Sequence, residues 1–111
     1  MANWYTTSFR TTDKDIVDII KNGRTIDFDY DEKLEVGICR LAWGICSIDT
    51  EKVEDIAKKH KSSFYIRSSD YLTETIEEWE YKDGVEILAE SRHEPFEWKE
   101  ATDDLESEFF S

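Results

Sequence analysis

The sequence has few of the residues that interrupt or cross-link a chain. Its 111 residues include one proline, four glycines and two cysteines. With so little proline and glycine there is no candidate linker, so we expect one compact domain. Cys39 and Cys46 are too few for a disulfide scaffold, and they suit a reducing cytosol.

Long apolar runs are also missing. No stretch approaches the ~18 residues that a membrane helix requires. Residues 1–5 have neither the basic start nor the apolar stretch of a secretory signal. The sequence therefore predicts a cytoplasmic protein with no membrane partner.

Basic residues are scarce, and the excess of acidic residues is unevenly placed. The chain holds 14 Lys and Arg against 27 Asp and Glu, for a net charge of −13. Residues 1–73 carry 13 acids and 11 bases, whereas residues 74–111 carry 14 acids and 3 bases. This balance opposes direct binding to nucleic acid. The acidic third is either a solvated surface that aids solubility or a surface for a basic partner.

Hydrophobic periodicity and turn residues predict two helices and six strands. Thr12 and Asp15 form a capping-box-like start for the first helix, and Gly23 ends it. Asp83-Gly84 indicates a hairpin, because a type I′ turn needs positive φ at both central residues. The predicted helices span residues 13–22 and 50–60, and the predicted strands span residues 3–9, 25–31, 34–43, 63–67, 73–81 and 85–91.

The strand predicted at residues 25–31 alternates apolar and acidic side chains. Successive side chains of a strand point to opposite faces. We therefore expect one apolar and one acidic face, formed by Ile26, Phe28 and Tyr30 and by Asp27, Asp29 and Asp31.

The order of elements predicts the fold class α+β. Strand, helix, strand, strand, helix, strand is the split βαβ order of the ferredoxin-like plait, in which two helices cover one face of an antiparallel sheet. The additional hairpin, at about 73–91, either extends the sheet or folds across its open face. We expect a single ferredoxin-like domain over residues 1–98 and an acidic C-terminal tail over residues 99–111.

Short motifs add a family resemblance over residues 2–91. Asn3-Trp4, the run Leu41-Ala42-Trp43-Gly44, the strand Tyr71–Tyr81 and the turn Lys82-Asp83-Gly84 together resemble the YubB ferredoxin-like domain family. The segment 44–47 departs from that family, which tends to carry prolines before its second helix. The resemblance implies a plait fold, an origin in phages, plasmids or other mobile elements, and hence the cytoplasm of a bacterial host. It implies no settled activity and no active-site residues.

Residue types that bind metals occur without the spacing of a metal site. Cys39 and Cys46 form no CxxC pair, and the His-Glu pair at 93–94 lacks the second His of a metalloprotease motif. His60 fits packing or capping at a helix end. The aspartates of strand 25–31 lie ~6–7 Å apart on a straight strand, which splays their oxygens.

Motifs of catalysis are also missing from the sequence. No serine lies in a nucleophile elbow, and there is no glycine-rich phosphate loop. The sequence therefore predicts a non-enzymatic protein without metal or cofactor. Trp4, Trp43 and Tyr65 would suit base stacking on a plait sheet. The chain lacks an RNP-like run and its charge repels phosphate, so we expect these aromatics to be core or covered.

The acidic third predicts the partner. Carboxylates on alternate residues of a strand lie ~6–7 Å apart, a spacing comparable to that of phosphates along a nucleic-acid strand. We expect a nucleic-acid-mimicking surface that occupies a basic groove on a host nucleic-acid-handling protein and inhibits it. A structural or regulatory module that acts as a homo-oligomer is the alternative, and monomer and homodimer both stay open. The candidate partner-binding residues are Glu74, Glu77, Glu78, Glu80, Asp83, Glu86 and Glu90 of the hairpin and Asp103, Asp104, Leu105 and Phe109 of the tail.

Overall fold

Six strands and two helices make up residues 4–93, the part of the chain that the computed structural model describes. The elements are β1 (Tyr5–Thr11), α1 (Lys14–Asn22), β2 (Thr25–Asp31), β3 (Val36–Ile45), α2 (Thr50–His60), β4 (Phe64–Asp70), β5 (Thr75–Lys82) and β6 (Val85–His93). Within this part, neither helix has the length and apolar character needed to cross a membrane. The proposed tail and the end of the predicted domain fall outside the described residues.

The six strands form one antiparallel sheet in the order β2-β3-β1-β4-β5-β6. β5 pairs with β4, so the hairpin extends the sheet and does not fold across it. Asp83 and Gly84 have φ of 50° and 81°, which confirms the predicted turn. The structure thus confirms an α+β fold with an antiparallel sheet and two helices.

The first helix begins one residue later than the capping-box interpretation places it. Asp13 is the N-cap, and its side chain accepts a hydrogen bond from the amide of Asp15 at 3.0 Å. The prediction of Thr12 as the cap is wrong, because β1 continues to Thr11, whose hydroxyl accepts from the amide of Asp13 at 3.1 Å. α2 begins with Asp49 as its cap, and the side chain of Asp49 accepts a hydrogen bond from the amide of Lys52 at 3.2 Å.

The core lies between the two helices and one face of the sheet. Phe9 stands at its centre, stacked between Phe28 and Tyr30 at ring-centroid distances of 5.8 and 6.0 Å. Gly37 lies beneath the Phe9 ring, where an added Cβ would overlap the ring. Further buried apolar side chains come from both helices and from β3, β4 and β5, namely Ile16, Val17, Ile20, Leu41, Val53, Ala57, Phe64, Ile66, Trp79 and Tyr81.

A bulge in β2 changes the two faces predicted for that strand. Two residues of β2, Asp27 and Phe28, oppose the single residue Cys39 of β3, and Asp27 takes a φ of 53°. An extra residue reverses the alternation. Ile26 therefore shares a face with Asp29, opposite Phe28, and the prediction of one continuous apolar face is wrong.

Candidate functional site

A groove lies on the helix side of the sheet, between α2 and the β5–β6 hairpin. It has a volume of about 380 Å³. The groove forms because the sheet is wider than the helix layer. The hairpin adds β5 and β6 to the sheet, and α2 covers only part of their helix-side surface. The groove, called the acidic groove below, has among its lining residues the helix-side positions Ile45, Thr50, Glu54, Glu77, Trp79, Glu86, Ala89 and Ser91.

The carboxylate of Glu77 is held by the backbone at the end of β3. Its Oε1 accepts a hydrogen bond from the backbone amide of Ile45 at 3.0 Å. Gly44 has a φ of 75°, and a Cβ at this position would overlap Oε1, so glycine is required both for the turn and for the contact. Burial raises the pKa of Glu77, and the hydrogen bond from Ile45 only partly opposes that rise.

Glu86 is positioned by the indole of Trp79. The Nε1 group of Trp79 donates to Oε1 of Glu86 at 2.9 Å. The ring of Trp79 makes an edge-to-face contact with the ring of Phe64, and the two ring centroids lie 4.8 Å apart. A bulge at Glu80 and Tyr81 sets the register that places Glu86 on the side of Tyr81.

Glu54 of α2 faces the same space. Burial raises the pKa of Tyr81, and the negative charges of Glu54 and Glu86 raise it further. Glu54, Glu77 and Glu86 thus converge on the groove from α2, β5 and β6. No Lys or Arg is among the residues that line it within the described part of the chain. Three carboxylates beside an indole suit a guanidinium or ammonium group.

Glu78 points to the other face of the sheet, where it is already paired. Its carboxylate accepts from the hydroxyl of Tyr65 at 2.7 Å and lies 2.6 Å from the guanidinium of Arg92. Burial alone would raise the pKa of Glu78, but these hydrogen bonds and the charges of Arg92 and Arg67 lower it. Glu78 is therefore an internally neutralised carboxylate.

The structure divides the predicted partner-binding residues of the hairpin. Glu77 and Glu86 share the helix side, whereas Glu78, Glu80 and Glu90 share the open side, as the pairing of Glu78 with Glu90 shows. Glu74 and Asp83 lie between strands. The hairpin thus presents two groups of carboxylates in place of one row. The predicted tail residues Asp103, Asp104, Leu105 and Phe109 lie outside the described part of the chain.

Glu54 was missed by sequence reasoning. In the sequence, Glu54 is distinguished only by its position next to Val53 on α2. No neighbouring residue indicates that this side of α2 contacts β5. The groove forms only when strands that are distant in sequence pair with one another. The tertiary structure, and not the local sequence, therefore places Glu54 beside the groove.

A second cluster joins α1 to the end of α2. Ligand atoms of Asp13, Asp15 and His60 lie within 4.8 Å of one another. Oδ2 of Asp13 lies 2.9 Å from Nδ1 of His60 and also accepts from the hydroxyl of Ser62. Burial opposes ionisation of Asp13, but the hydrogen bonds from Ser62, His60 and Asp15 lower its pKa. The carboxylate is engaged in capping and in joining the helices.

The two thiols differ in burial. Cys39 is buried, and this burial raises its pKa to about 12. Cys46 is exposed, and its thiol donates to the carbonyl of Trp43 at 3.0 Å.

Comparisons with family models, with curated proteins and with solved structures found no match to this chain. The functional proposal therefore depends on the geometry of residues 4–93 and on the sequence.

Proposed function

We propose that the protein is a non-enzymatic interaction protein that binds a basic surface of a host nucleic-acid-handling protein and competes there with nucleic acid. The observation that supports this proposal is the acidic groove. Its carboxylates Glu54, Glu77 and Glu86 come from three elements, and no cation of the described chain lines it.

Charge in such a site supplies association rate and specificity, while apolar contacts supply much of the affinity. The groove contains both. Trp79, Ile45 and Ala89 line it. A basic partner with an apolar residue beside its arginines or lysines would match this surface.

The order of the elements supports a ferredoxin-like architecture for the first four strands. β1, α1, β2, β3, α2 and β4 follow one another along the chain, and their strands lie in the order β2-β3-β1-β4. This arrangement fits the resemblance to the YubB family, and with it a mobile-element origin. Inhibition of a host defence or nucleic-acid enzyme is proposed from the acidic groove, because the resemblance implies no settled activity.

The test compares proteins captured from a bacterial lysate by three versions of the full chain. The groove variant Glu54→Gln/Glu77→Gln/Glu86→Gln and the control Asp15→Asn/Asp18→Asn/Glu51→Gln each remove three negative charges. The proposal expects wild type and control, but not the groove variant, to retain a nucleic-acid-binding protein that duplex DNA displaces. Equal retention by all three versions, or retention that DNA does not affect, would contradict it.

The second candidate is a homo-oligomer formed through β6. β6 ends the sheet, and its side chains Val85 and Ile87 are exposed on this edge. Edge strands of this kind invite pairing with another chain. Sedimentation decides this candidate: association that Val85→Lys/Ile87→Lys abolishes would support it, and a monomer at all concentrations would exclude it.

A further inference from the structure

The face of the sheet opposite the helices carries an arginine cluster on its three central strands. Residues that are partners in register share a face. Arg40 on β3 pairs with Thr6, Ser8 on β1 pairs with Arg67, and Arg10 lies two residues beyond Ser8. Arg10, Arg40 and Arg67, together with the residues that lie near them on the same face of β1, β3 and β4, are called the arginine face below. Its members are Thr6, Ser8, Arg10, Val36, Ile38, Arg40, Tyr65, Arg67 and Ser69.

The arginine face contains no carboxylate, although the chain is strongly acidic. The acidic residues of the open side stand on the flanking strands, as Asp29 and Asp31 on β2 and as Glu78, Glu80 and Glu90 on β5 and β6. Nε of Arg40 lies 3.7 Å from Oδ2 of Asp27, and the charge of Arg67 acts on the neighbouring Glu78. The three arginines therefore form a positive band whose outer members contact the two negative borders. Such a band attracts a narrow polyanionic segment that runs along it and repels a broad one.

Small residues at the centre of this face are shielded from water. Ser8 is 1% exposed and Ser69 is 8% exposed, and the neighbouring Ile76 is 3% exposed. Both helices lie on the other side of the sheet, where they form the core with Phe9. A sheet face that is solvated would not leave an isoleucine and two serines so well buried. This burial is independent of the charge pattern, and it indicates that the face is covered.

We propose that residues 94–111 of the same chain bind across the arginine face. This segment contains seven acidic residues and one lysine, so its charge is complementary to that of the face. It also contains four aromatic residues, Phe96, Trp98, Phe109 and Phe110, that can contact Tyr65 and the arginine side chains.

The connection to the segment has the right position and length. β6 ends at His93, which pairs with Thr75 at the end of the sheet where Arg40 and Ser69 lie. Crossing from β6 to β3 takes four strand spacings, about 19 Å. The 18 residues after His93 span up to about 60 Å when extended. The segment therefore reaches every arginine of the face without moving β6.

A groove at the far end of the face offers an apolar contact. It has a volume of about 640 Å³, and Arg10, Leu34, Tyr65 and Glu80 are among its lining residues. Leu34 is half exposed. The aromatic residues near the carboxyl end of the segment can be accommodated here, beside the guanidinium of Arg10.

The first test maps the position of the segment in the full chain. A nitroxide label on Ser107→Cys, in a Cys46→Ser background, broadens the amide signals of nearby residues, and buried Cys39 stays unlabelled. We expect broadening at Ser8, Ile38 and Arg67 and none at Asp18 and Lys58 on the helices. Broadening at the helices, or at no described residue, would overturn the proposal.

The second test asks whether the arginines hold the segment. Arg10→Glu/Arg67→Glu should release it, and cleavage by a glutamyl protease within residues 94–111 should become roughly three- to tenfold faster. The control Lys58→Glu/Lys59→Glu makes the same change of net charge on α2 and should leave the cleavage rate unchanged. Asp103→Arg/Asp104→Arg added to the arginine variant should restore protection. Equal rates in the arginine variant and the control would refute the role of the face.

Other occupants of the face give distinct results. If a second copy occupied the face, isotope-labelled chains without a nitroxide would show the broadening when they are mixed with nitroxide-labelled chains, whereas a segment bound to its own chain leaves them unchanged. If a nucleic acid occupied the face, it would bind the wild type and would not bind Arg10→Glu/Arg67→Glu. The label on residue 107 would then broaden no signal of the arginine face. Either result would overturn the proposal. The groove variant Glu54→Gln/Glu77→Gln/Glu86→Gln should leave the broadening unchanged, so this inference and the proposed function fail separately.

Discussion

Oε1 of Glu77 lies 3.0 Å from the backbone nitrogen of Ile45, in space that a glycine at position 44 leaves open. This contact ties the end of β3 to β5, two strands that do not pair with each other. It fixes one carboxylate of the acidic groove and the chain that leads into α2. The groove therefore depends on a backbone feature as well as on its acidic side chains.

Gly44→Ala should destabilise the protein by about 1–3 kcal/mol, because alanine is strained at positive φ and its Cβ would overlap the Glu77 carboxylate. Chemical denaturation measures the loss. The double variant Gly44→Ala/Glu77→Ala removes the overlap but keeps the backbone strain, so it should cost less than the two single changes added together. Full additivity would mean that the two residues do not interact.

Glu77→Gln should stabilise the protein at neutral pH by on the order of a few degrees in Tm. The amide oxygen still accepts from Ile45, and the half-buried charge is removed. Since the folded pKa of Glu77 is raised above 4.5, the carboxylate lowers stability above the folded pKa, and this penalty disappears as pH falls toward 4.5. Thermal melts across pH 4–8 should show the two proteins converging at the acidic end.

Asp13→Asn should show the opposite pH dependence. The folded pKa of Asp13 is lowered below 3.8, so its charge contributes stability above pH 3.8 that is lost as pH falls through the folded pKa. The variant should be less stable than the wild type at pH 6, and the difference should shrink below about pH 3.8. A difference that stays constant with pH would assign the effect of Asp13 to capping geometry alone.

An arginine-rich peptide should bind the acidic groove. Calorimetry at low salt should show binding to the wild type that is weakened about tenfold by Glu54→Gln/Glu86→Gln, the loss of roughly 1.4 kcal/mol from two carboxylate contacts. Glu51→Gln/Asp55→Asn is the matched control, since it removes two charges from exposed positions of α2 outside the groove. Equal weakening by both variants would indicate a diffuse charge effect without a site.

The two thiols should react at very different rates. A disulfide reagent at pH 8 should modify Cys46 in the native protein and leave Cys39 unmodified, because Cys39 is buried and its pKa is about 12. Both thiols should react in denaturant. Modification of two thiols in the native protein would mean that the core between the sheet and the helices opens readily.

Local patterns specified much of the secondary structure. α2 spans residues 50–60 and β2 spans residues 25–31, as their periodicity and flanking residues predict. The turn at Asp83-Gly84 also follows from two residues, because few residue types accept positive φ twice in succession. The other five strands were predicted to end too early; in β4, for example, the polar residues Ser68 and Asp70 continue the strand through pairing with β5.

Face assignments depended on residues far apart in the chain. One extra residue in β2 moved Ile26 to the face of Asp29, and no local pattern marks that bulge. The arginine face was missed for a similar reason: Arg10, Arg40 and Arg67 stand singly in three separate strands and become neighbours only when β3, β1 and β4 pair.

The sequence by itself determined the order of the elements, the hairpin turn at Asp83-Gly84 and the excess of acidic residues in the last third. These properties follow from spacing, capping and turn chemistry within a few residues. Only the tertiary structure decided which carboxylates share a surface, that Glu54 joins Glu77 and Glu86, and that Glu78 is neutralised by Tyr65 and Arg92. The physical reason is that alternate strand residues face opposite ways, so strand pairing and bulges, not sequence proximity, set which charges meet.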